Sequence, residues 1–234
     1  MKIFPIKKIL ILVTILAVPG FLYYLLQDKG KNRYKPLPYF GQKTVASTFH
    51  SVRGTQIPDT IYHQIQDFKL LNQNADTLSW KNFEGKIVIL NLFYASDNLA
   101  TKMANNAIGV LHKVYGKNPI VNFVSLSIDP VHDTPDVLAK YALTQQAKAG
   151  KWDFLTGDST AIYQMVNKQL LLDAVQKNED GKRSFAYTNF FVLIDPRHHI
   201  RGFYDISSQE AFTKLDDEIK VLIVEELRNN TDGR

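Results

Sequence analysis

The pattern of apolar and polar residues divides the chain into successive segments. A run of 18 residues without a charged side chain lies near the N-terminus, and a polar stretch with several prolines and glycines follows it. Beyond that stretch, short apolar runs alternate with segments of helical periodicity, as in a folded domain. The pattern predicts five segments: a basic N-terminal segment (1–8), a membrane anchor (9–26), a tether (27–60), a globular domain (61–228) and a disordered tail (229–234). Within the tether, Tyr34, Tyr39 and Phe40 suggest that part of it packs on the domain.

The apolar run is close to the minimum length of a membrane-spanning helix, since about 20 residues cross a ~30 Å hydrocarbon core. Pro19 and Gly20 interrupt it, which membrane helices tolerate better than soluble ones. A cleaved signal peptide is the competing interpretation. Because no small-x-small cleavage site follows the apolar core, we favour an uncleaved anchor. Basic residues on both sides of the run leave its orientation open.

The centre of the predicted domain is the segment Ile87–Met103. Ile87–Phe93 is an apolar run with Asn91 as its single polar residue, which is typical of a strand buried on both faces of a sheet. A short polar stretch follows, and then a helix from about Leu99 to Tyr115 whose apolar residues recur at helical spacing. Asp97 and Asn98 are expected to cap this helix. Strand, tight turn and helix in this order are where thioredoxin-like domains carry a reactive cysteine pair.

Further strands and helices follow the same logic and predict the fold class. Ser207 and Glu210 form a capping box for the last helix. Alternating strands and helices, closed by a strand pair and a helix, predict a thioredoxin-like α/β sandwich with a central mixed sheet flanked by helices. The other predicted elements are a hairpin of Asp67–Leu71 and Thr77–Trp80, strands at Val121–Ile128, Trp152–Leu155, Phe190–Ile194 and Ile200–Tyr204, helices from Pro135 to about Ala149 and at Thr160–Asn167, and a charged hairpin or loop at Lys177–Arg183.

The net charge of +5 does not indicate a nucleic-acid partner once its position is considered. Residues 1–35 hold seven Lys and Arg residues against the single acidic residue Asp28, a charge of +6. The other residues therefore sum to −1 (+5 minus +6). The basic character belongs to the N-terminal segment, and a nucleic-acid-binding domain is not favoured.

The chain contains no cysteine. This excludes disulfides, thiolate metal sites, thiol nucleophiles and a lipoprotein anchor cysteine. It does not fix the compartment, because a protein without cysteine is compatible with any redox poise.

Four stretches of the domain carry a family resemblance. They are DFKLLNQNADTLS with FEGKIVILNLFY (67–94), SIDPVHDTP (127–135), WDFLTGD (152–158) and FVLIDPRHHIRGFYD (191–205). In these motifs and their spacing, the chain resembles the Sco (SenC) family over roughly residues 61–228. The members of that family are membrane-anchored, thioredoxin-fold proteins that deliver copper to cytochrome c oxidase or act there as thiol reductants.

The resemblance also implies where copper ligands would lie, and all three positions are replaced. The family carries Cys-Pro-x-x-x-Cys-Pro after the central strand, and alignment on Phe93 and Met103 places Ser96 and Ala100 at the two cysteines. The third ligand is a histidine eight residues before the Asp of the late Leu-Ile-Asp, a position that Tyr187 occupies here. Copper in this type of site needs thiolate and imidazole, which a hydroxyl, a methyl group and a phenol do not supply. Thiol–disulfide exchange is excluded as well.

Three other side chains are candidate substitute metal ligands: His132, His112 and Met103. His132 lies in the loop that borders the family's active edge, although exposure on a loop is its default role. His112 follows Met103 by nine residues on one helix, which places the two on opposite faces. The adjacent His198 and His199 are expected in a surface turn, with side chains that point apart.

Two further candidates concern catalysis. Asp129 and Asp133 could form a carboxylate pair for a hard metal or for acid–base chemistry, but a strand end and a helix N-terminus explain them better. Ser96 could be a nucleophile, yet the motif places no base beside it. No catalytic constellation is evident, so we do not expect an enzyme.

The sequence therefore favours a Sco-like protein that lacks redox and copper ligands and needs no cofactor. By resemblance, it would sit as a single-pass protein in a bacterial inner membrane with its domain in the periplasm. It would bind other proteins in respiratory oxidase assembly or copper handling. The alternative is a copper chaperone for cytochrome c oxidase assembly that uses the replacement ligands. A hydrolase acting through Ser96 is the weakest hypothesis.

Overall fold

The computed structural model describes residues 6–29, 36–52, 54–96, 99–179 and 182–232. Two units are distinguished, Met1–Pro36 and Leu37–Arg234. The predicted caps Asp97 and Asn98, and Tyr34, lie outside the described residues. The elements in chain order are α1 (Ile6–Lys29), β1 (Lys43–Val52), β2 (Thr55–Tyr62), β3 (Leu70–Leu71), β4 (Thr77–Leu78), a 3₁₀ turn (Trp80–Phe83), β5 (Ile87–Phe93), α2 (Leu99–Tyr115), β6 (Val121–Ser127), α3 (Pro135–Thr144), β7 (Trp152–Leu155), α4 (Ser159–Gln164) with a π-helical extension (Met165–Gln169), β8 (Ala174–Glu179), β9 (Lys182–Tyr187), β10 (Phe190–Ile194), β11 (Ile200–Asp205) and α5 (Gln209–Asp232).

The first unit contains the helix α1, whose sequence lacks charge over most of its length. Apolar side chains are exposed at successive positions such as Ile15, Leu16 and Val18, so they cover the helix on all sides rather than along one stripe. Among the side chains that the structure describes, no helix combines the length and apolar character needed to cross a membrane.

A five-stranded mixed sheet organises the second unit. Its order is β11-β10-β5-β6-β7. The strands β5, β6 and β7 run parallel, β10 is antiparallel to β5, and β11 is antiparallel to β10. Every residue of β5 and β6 is buried, including the polar residues Asn91 of β5 and Asn122, Ser125 and Ser127 of β6. The predicted α/β sandwich is confirmed.

Hydrophobic clusters cover both faces of this sheet. Because side chains alternate along a strand, Ile87 and Ile89 face one cluster while Val88 and Leu90 face the other. The first cluster includes residues of α2, α3 and α5, and the second includes residues of α4, its π-helical extension and the 3₁₀ turn. The carboxyl ends of β5 and β6 remain at one edge between these layers, which is where the candidate site forms.

Two helix boundaries differ from the prediction. The helix α3 ends at Thr144 instead of near Ala149, because Gln146 adopts a left-handed φ of 54° and the Ala147 amide donates to the Ala142 carbonyl. This is a Schellman motif. The sequence does not predict it, because the left-handed position carries Gln146 and not the usual glycine. The cap of α5 is Ser208, whose hydroxyl accepts from the Ala211 amide at 3.2 Å, rather than Ser207.

The largest correction concerns the expected tether. The second unit begins at Leu37 rather than near residue 61, and β1 and β2 form an antiparallel hairpin within the range expected to be a linear tether. Tyr39 stacks on Tyr62 with ring centroids 4.1 Å apart, and Phe40 meets Phe203 edge-on at 5.3 Å. The expected packing of Tyr39 and Phe40 is therefore confirmed.

The C-terminal range also differs from expectation. The helix α5 extends to Asp232, so most of the expected disordered tail (229–234) is helical.

Candidate functional site

A cleft of about 740 Å³ opens at the carboxyl ends of β5 and β6. Three segments that are distant in sequence build it: the turn after β5, the loop after β6 with the start of α3, and the strand β9. The lining residues are Tyr94, Ala95, Ser96, Asp129, His132, Asp133, Val137, Arg183 and Phe185. This is the position where the carboxyl ends of parallel strands in an open α/β sheet commonly form a ligand site.

Asp133 fixes the geometry of the cleft floor. Its carboxylate accepts hydrogen bonds from the Ala95 amide at 2.9 Å and from the Ser127 hydroxyl at 2.5 Å, and the residue is 2% exposed. Burial raises the pKa of Asp133, while these two hydrogen bonds oppose the shift. The carboxylate thus ties the turn after β5 to the end of β6 and does not face the cleft as a free acid.

Asp129, His132 and Arg183 form a polar cluster at the cleft mouth. The Nδ1 atom of His132 lies 3.0 Å from Oδ2 of Asp129, and Nη1 of Arg183 donates to Oδ1 of Asp129 at 3.3 Å. The Arg183 guanidinium also contacts the His132 ring. Asp129 and Asp133 therefore do not form a carboxylate pair. Asp129 binds His132 and Arg183 at the cleft mouth, whereas Asp133 binds Ala95 and Ser127 at the cleft floor.

Aromatic side chains form the wall of the cleft toward β9. Tyr94 lies 5.0 Å from Phe185 and 6.1 Å from Tyr187, measured between ring centroids. Tyr187 is half-buried and closes β9 beside these rings. An aromatic wall of this kind suits contact with apolar side chains of a protein partner.

The three positions of the family's copper ligands fall at this end of the domain. Ser96 is exposed and lines the cleft, Ala100 lies in the first turn of α2, and Tyr187 packs against the cleft residue Tyr94. None of the three side chains supplies the sulfur or imidazole donor that copper requires, so the residues do not fit the metal. Within the described residues, no group of three or more His, Asp and Glu side chains is placed to hold a metal ion.

The proposed substitute ligands do not converge either. His132 lies in the cleft, but His112 packs against Phe123 and Trp152 at 5.7 Å from each ring. Burial, with a smaller effect from Lys151, lowers the pKa of His112. Met103, by contrast, is 38% exposed on the outer side of α2.

The adjacent histidines 198 and 199 point apart, as predicted. His198 stacks on Trp80 at 4.3 Å, whereas Nδ1 of His199 lies 3.3 Å from the Asp195 carboxylate. Ser96 gains no support as a nucleophile, because the histidine that shares its cleft, His132, is engaged by Asp129 and Arg183.

Sequence reasoning missed Arg183 and Phe185 as cleft residues, although a usable signal was present. Side chains two positions apart on a strand share a face. Counting back from Tyr187 in steps of two reaches Phe185 and then Arg183. The charged composition of this segment suggested a hairpin or loop and obscured that alternation.

Comparison with solved structures defines the class of fold. A SCO1/SenC family lipoprotein from Bacillus anthracis superimposes with a TM-score of 0.60 and 20% identity, covering 69% of this chain and 95% of that one. ScoI from Bradyrhizobium japonicum, solved with copper bound, gives a TM-score of 0.55 and 21% identity, covering 65% and 97%. The α/β domain is thus of the Sco type.

Sequence comparison identifies the family. The chain is 23% identical over 169 residues to an SCO1 protein homolog from Bacillus subtilis, covering 71% of this chain and 86% of the relative. It is 24% identical over 218 residues to an SCO2-like protein from Rickettsia typhi, covering 91% and 98%. The profile of the SCO1/SenC family matches residues 59–220. The chain belongs to the SCO1/SenC family.

Proposed function

We propose that this protein is a non-catalytic, membrane-anchored member of its family that acts by binding other proteins. The observation that carries the proposal is the cleft at the carboxyl ends of β5 and β6. Its architecture is intact, yet Ser96, Ala100 and Tyr187 stand at the copper-ligand positions. No cofactor is expected, and thiol redox chemistry is excluded because the chain has no cysteine.

The lining of the cleft supports protein binding in place of copper binding. Tyr94 and Phe185 present rings, and Val137 is 39% exposed. Arg183 and His132 supply polar groups at the edge. Apolar and aromatic contacts with a polar rim are the composition of protein–protein interfaces. We infer partners among respiratory oxidase assembly or copper-trafficking factors, because the solved relative BsSco is a member of the Sco family of cytochrome c oxidase assembly proteins.

The helix α1 is the proposed membrane anchor. Its central residues carry no charge, and the apolar side chains described there are exposed on all sides, which suits contact with lipid, although the described residues alone do not reach the length and apolar character of a membrane span. A single-pass arrangement in a bacterial inner membrane with the domain on the periplasmic side follows from the family resemblance. Fusion of a reporter that is active only in the periplasm to Arg234 tests this placement, and activity of a cytoplasmic reporter at the same position would contradict it.

Affinity capture of the full chain from detergent-solubilised membranes tests the accessory role. The expected result is one specific protein partner that is retained by wild type and lost by Phe185→Glu, which puts a charge on the aromatic wall. Leu227→Glu is the matched control, because Leu227 is 55% exposed on α5 and does not line the cleft. If the wild-type chain retains no specific partner, the accessory role is unsupported. The same holds if the Phe185→Glu variant retains the partner as well as wild type does.

The second candidate function is copper delivery through replacement ligands. Its supporting observation is His132, an imidazole at the cleft mouth that pairs with Asp129 at 3.0 Å. Titration of the full chain with Cu(I) and Cu(II) separates the two functions. Stoichiometric binding tighter than about micromolar that is lost in His132→Ala would favour copper delivery.

A further inference from the structure

The helix α2 exposes an apolar stripe that the cleft does not explain. Leu99, Met103, Val110 and Val114 are 74%, 38%, 52% and 63% exposed. At 100° per residue, these four positions fall within an arc of about 60°, and they extend over about 22 Å of helix. We call this surface the α2 stripe. It begins three residues after Ser96 in the sequence.

The packing of α2 shows that this stripe is not needed by the fold. A different side of the helix, centred about 120° from the stripe, supplies the buried residues Ala104, Ile108, Leu111 and Tyr115 to the core beneath the sheet. A surface helix normally places polar residues on the side away from the core. On α2 the side farthest from the core does carry the polar residues Lys102, Asn106 and Lys113, and the stripe lies between that side and the core. Four exposed apolar side chains in a line there indicate a surface that contacts another molecule.

The charges on α2 restrict the kind of molecule that can bind the α2 stripe. No acidic residue occurs between Leu99 and Lys117, whereas Lys102, Lys113 and Lys117 are exposed. By helical spacing, Lys102 and Lys113 lie together on one side of the stripe. A complementary surface would combine apolar side chains with Asp or Glu residues that meet this basic side.

Two other occupants fit these observations less well. A second copy that used the same stripe would bring the lysines of one α2 against those of the other, and α2 itself contains no Asp or Glu. A membrane surface favours helices with basic residues on the polar face and Trp, Phe or Leu on the apolar one. Here the basic residues flank one side, and two of the four stripe residues are valines.

We propose that the α2 stripe binds an acidic amphipathic helix of a partner protein, packed along α2. The apolar side chains of that helix would repeat at i, i+4, i+7 and i+11, and its Asp or Glu residues would face the Lys102 and Lys113 side. This inference deepens the proposed accessory function and rests on it, because it assigns to that function a surface and the chemistry of the partner.

Two synthetic peptides of about five helical turns provide the test. Both peptides carry leucine at the four apolar positions i, i+4, i+7 and i+11. Beside these leucines, one peptide carries Glu and the other carries Lys at the same positions. The full chain, held in nanodiscs of phosphatidylcholine, carries a fluorescent donor at Lys140→Cys, which is a unique label because the chain has no cysteine. Energy transfer from this donor to an acceptor on each peptide measures binding. Peptide that binds the lipid gives the same background signal with every chain variant, so differences between variants report binding to the protein.

The expected result is binding of the Glu peptide at least about tenfold tighter than the Lys peptide, weakened by added salt. The Val110→Glu/Val114→Glu variant should lose about tenfold or more, while Leu227→Glu should bind as wild type does. Equal binding of the two peptides, or an unchanged Val110→Glu/Val114→Glu variant, would overturn the proposal.

Two further outcomes would reassign the stripe. Quenching of a fluorophore at Val114→Cys by quencher-bearing phosphatidylglycerol in the disc would assign it to the membrane. If the molecular mass of the protein doubles as its concentration rises, and Val110→Glu prevents this doubling, the stripe is assigned to self-association. Both results overturn the partner helix but leave the proposed accessory function standing, because copper retention and partner capture test that function separately.

Discussion

At the end of β6, Asp129 meets His132 and Arg183, and at the end of β10, Asp195 meets His199 and Arg201. The two clusters use the same residue types but differ in burial. The Arg201 side chain is fully buried, whereas that of Arg183 is 30% exposed and that of His132 is 55% exposed. Burial makes the cluster at Asp195 a structural contact within the core, whereas solvent reaches the cluster at Asp129.

The buried cluster holds the segment that precedes the β1–β2 hairpin. Arg201 donates to the Leu37 carbonyl at 2.7 Å and to the Glu225 carboxylate at 2.7 Å, and it lies 4.2 Å from the Tyr39 ring. Its contact with Asp195 at 3.2 Å links this segment to β10. The cluster therefore fixes the start of the second unit, where the sequence alone predicted a tether.

The sharpest test of this comparison replaces each arginine with methionine. Arg201→Met leaves buried carboxylates without their partner and should lower the free energy of unfolding by about 3–5 kcal/mol. Arg183→Met removes an ion pair that solvent reaches and should lower it by about 1 kcal/mol or less. Urea denaturation of both full-length variants measures the difference, and equal losses would contradict the assignment of distinct roles.

A second prediction concerns the floor of the cleft. Asp133→Ala removes the buried acceptor of two hydrogen bonds, from the Ala95 amide and the Ser127 hydroxyl, and should cost about 1–3 kcal/mol. Asp133→Asn retains an acceptor oxygen and should cost less. Amide hydrogen exchange should show faster exchange at Ala95 in Asp133→Ala, and unchanged protection there would show that the carboxylate does not hold the turn.

The smallest expected effect is a difference in pH dependence between the two regions. Burial raises the pKa of Asp133, so its contribution to stability is complete at low pH and is lost as the pH rises through that raised value. Burial also acts to raise the pKa of Asp195, but the hydrogen bonds of His199 and the Arg201 charge bring it below the ordinary value. The contribution of Asp195 is therefore complete above the ordinary value and is lost as the pH falls through the lowered one.

Denaturation across the acid range tests these opposite signs. The cost of Asp133→Asn should shrink as the pH rises from about 3 to about 7, whereas the cost of Asp195→Asn should grow. A parallel pH dependence for the two variants would remove the physical distinction between the regions.

The sheet could be predicted from the sequence because its signals are local. The predicted and observed bounds of β5, α2, β7 and β10 are identical, since largely apolar runs and helical spacing mark them directly. The β1–β2 hairpin could not be predicted, because its strands are exposed on both faces and show no apolar alternation. Its attachment also depends on Arg201, which lies far away in sequence.

The candidate site was predictable only in part. The family resemblance located Ser96 and Tyr187, and the loop position indicated His132. The pairing of Arg183 with Asp129 joins residues that are 54 positions apart, so no local pattern could reveal it. The role of Asp133 in binding the Ala95 amide likewise depends on the approach of two loops, which a sequence pattern does not encode.

Copper retention by the full chain tests the central claim most directly. Wild type in detergent is loaded with Cu(I), dialysed against a competing chelator and analysed for metal, beside the variant Ser96→Cys/Ala100→Cys/Tyr187→His under reducing conditions. We predict no bound copper in wild type and about one copper per chain in the restored variant, because two thiolates and an imidazole form a ligand set that copper prefers. One copper retained by wild type would contradict the account of a non-catalytic relative.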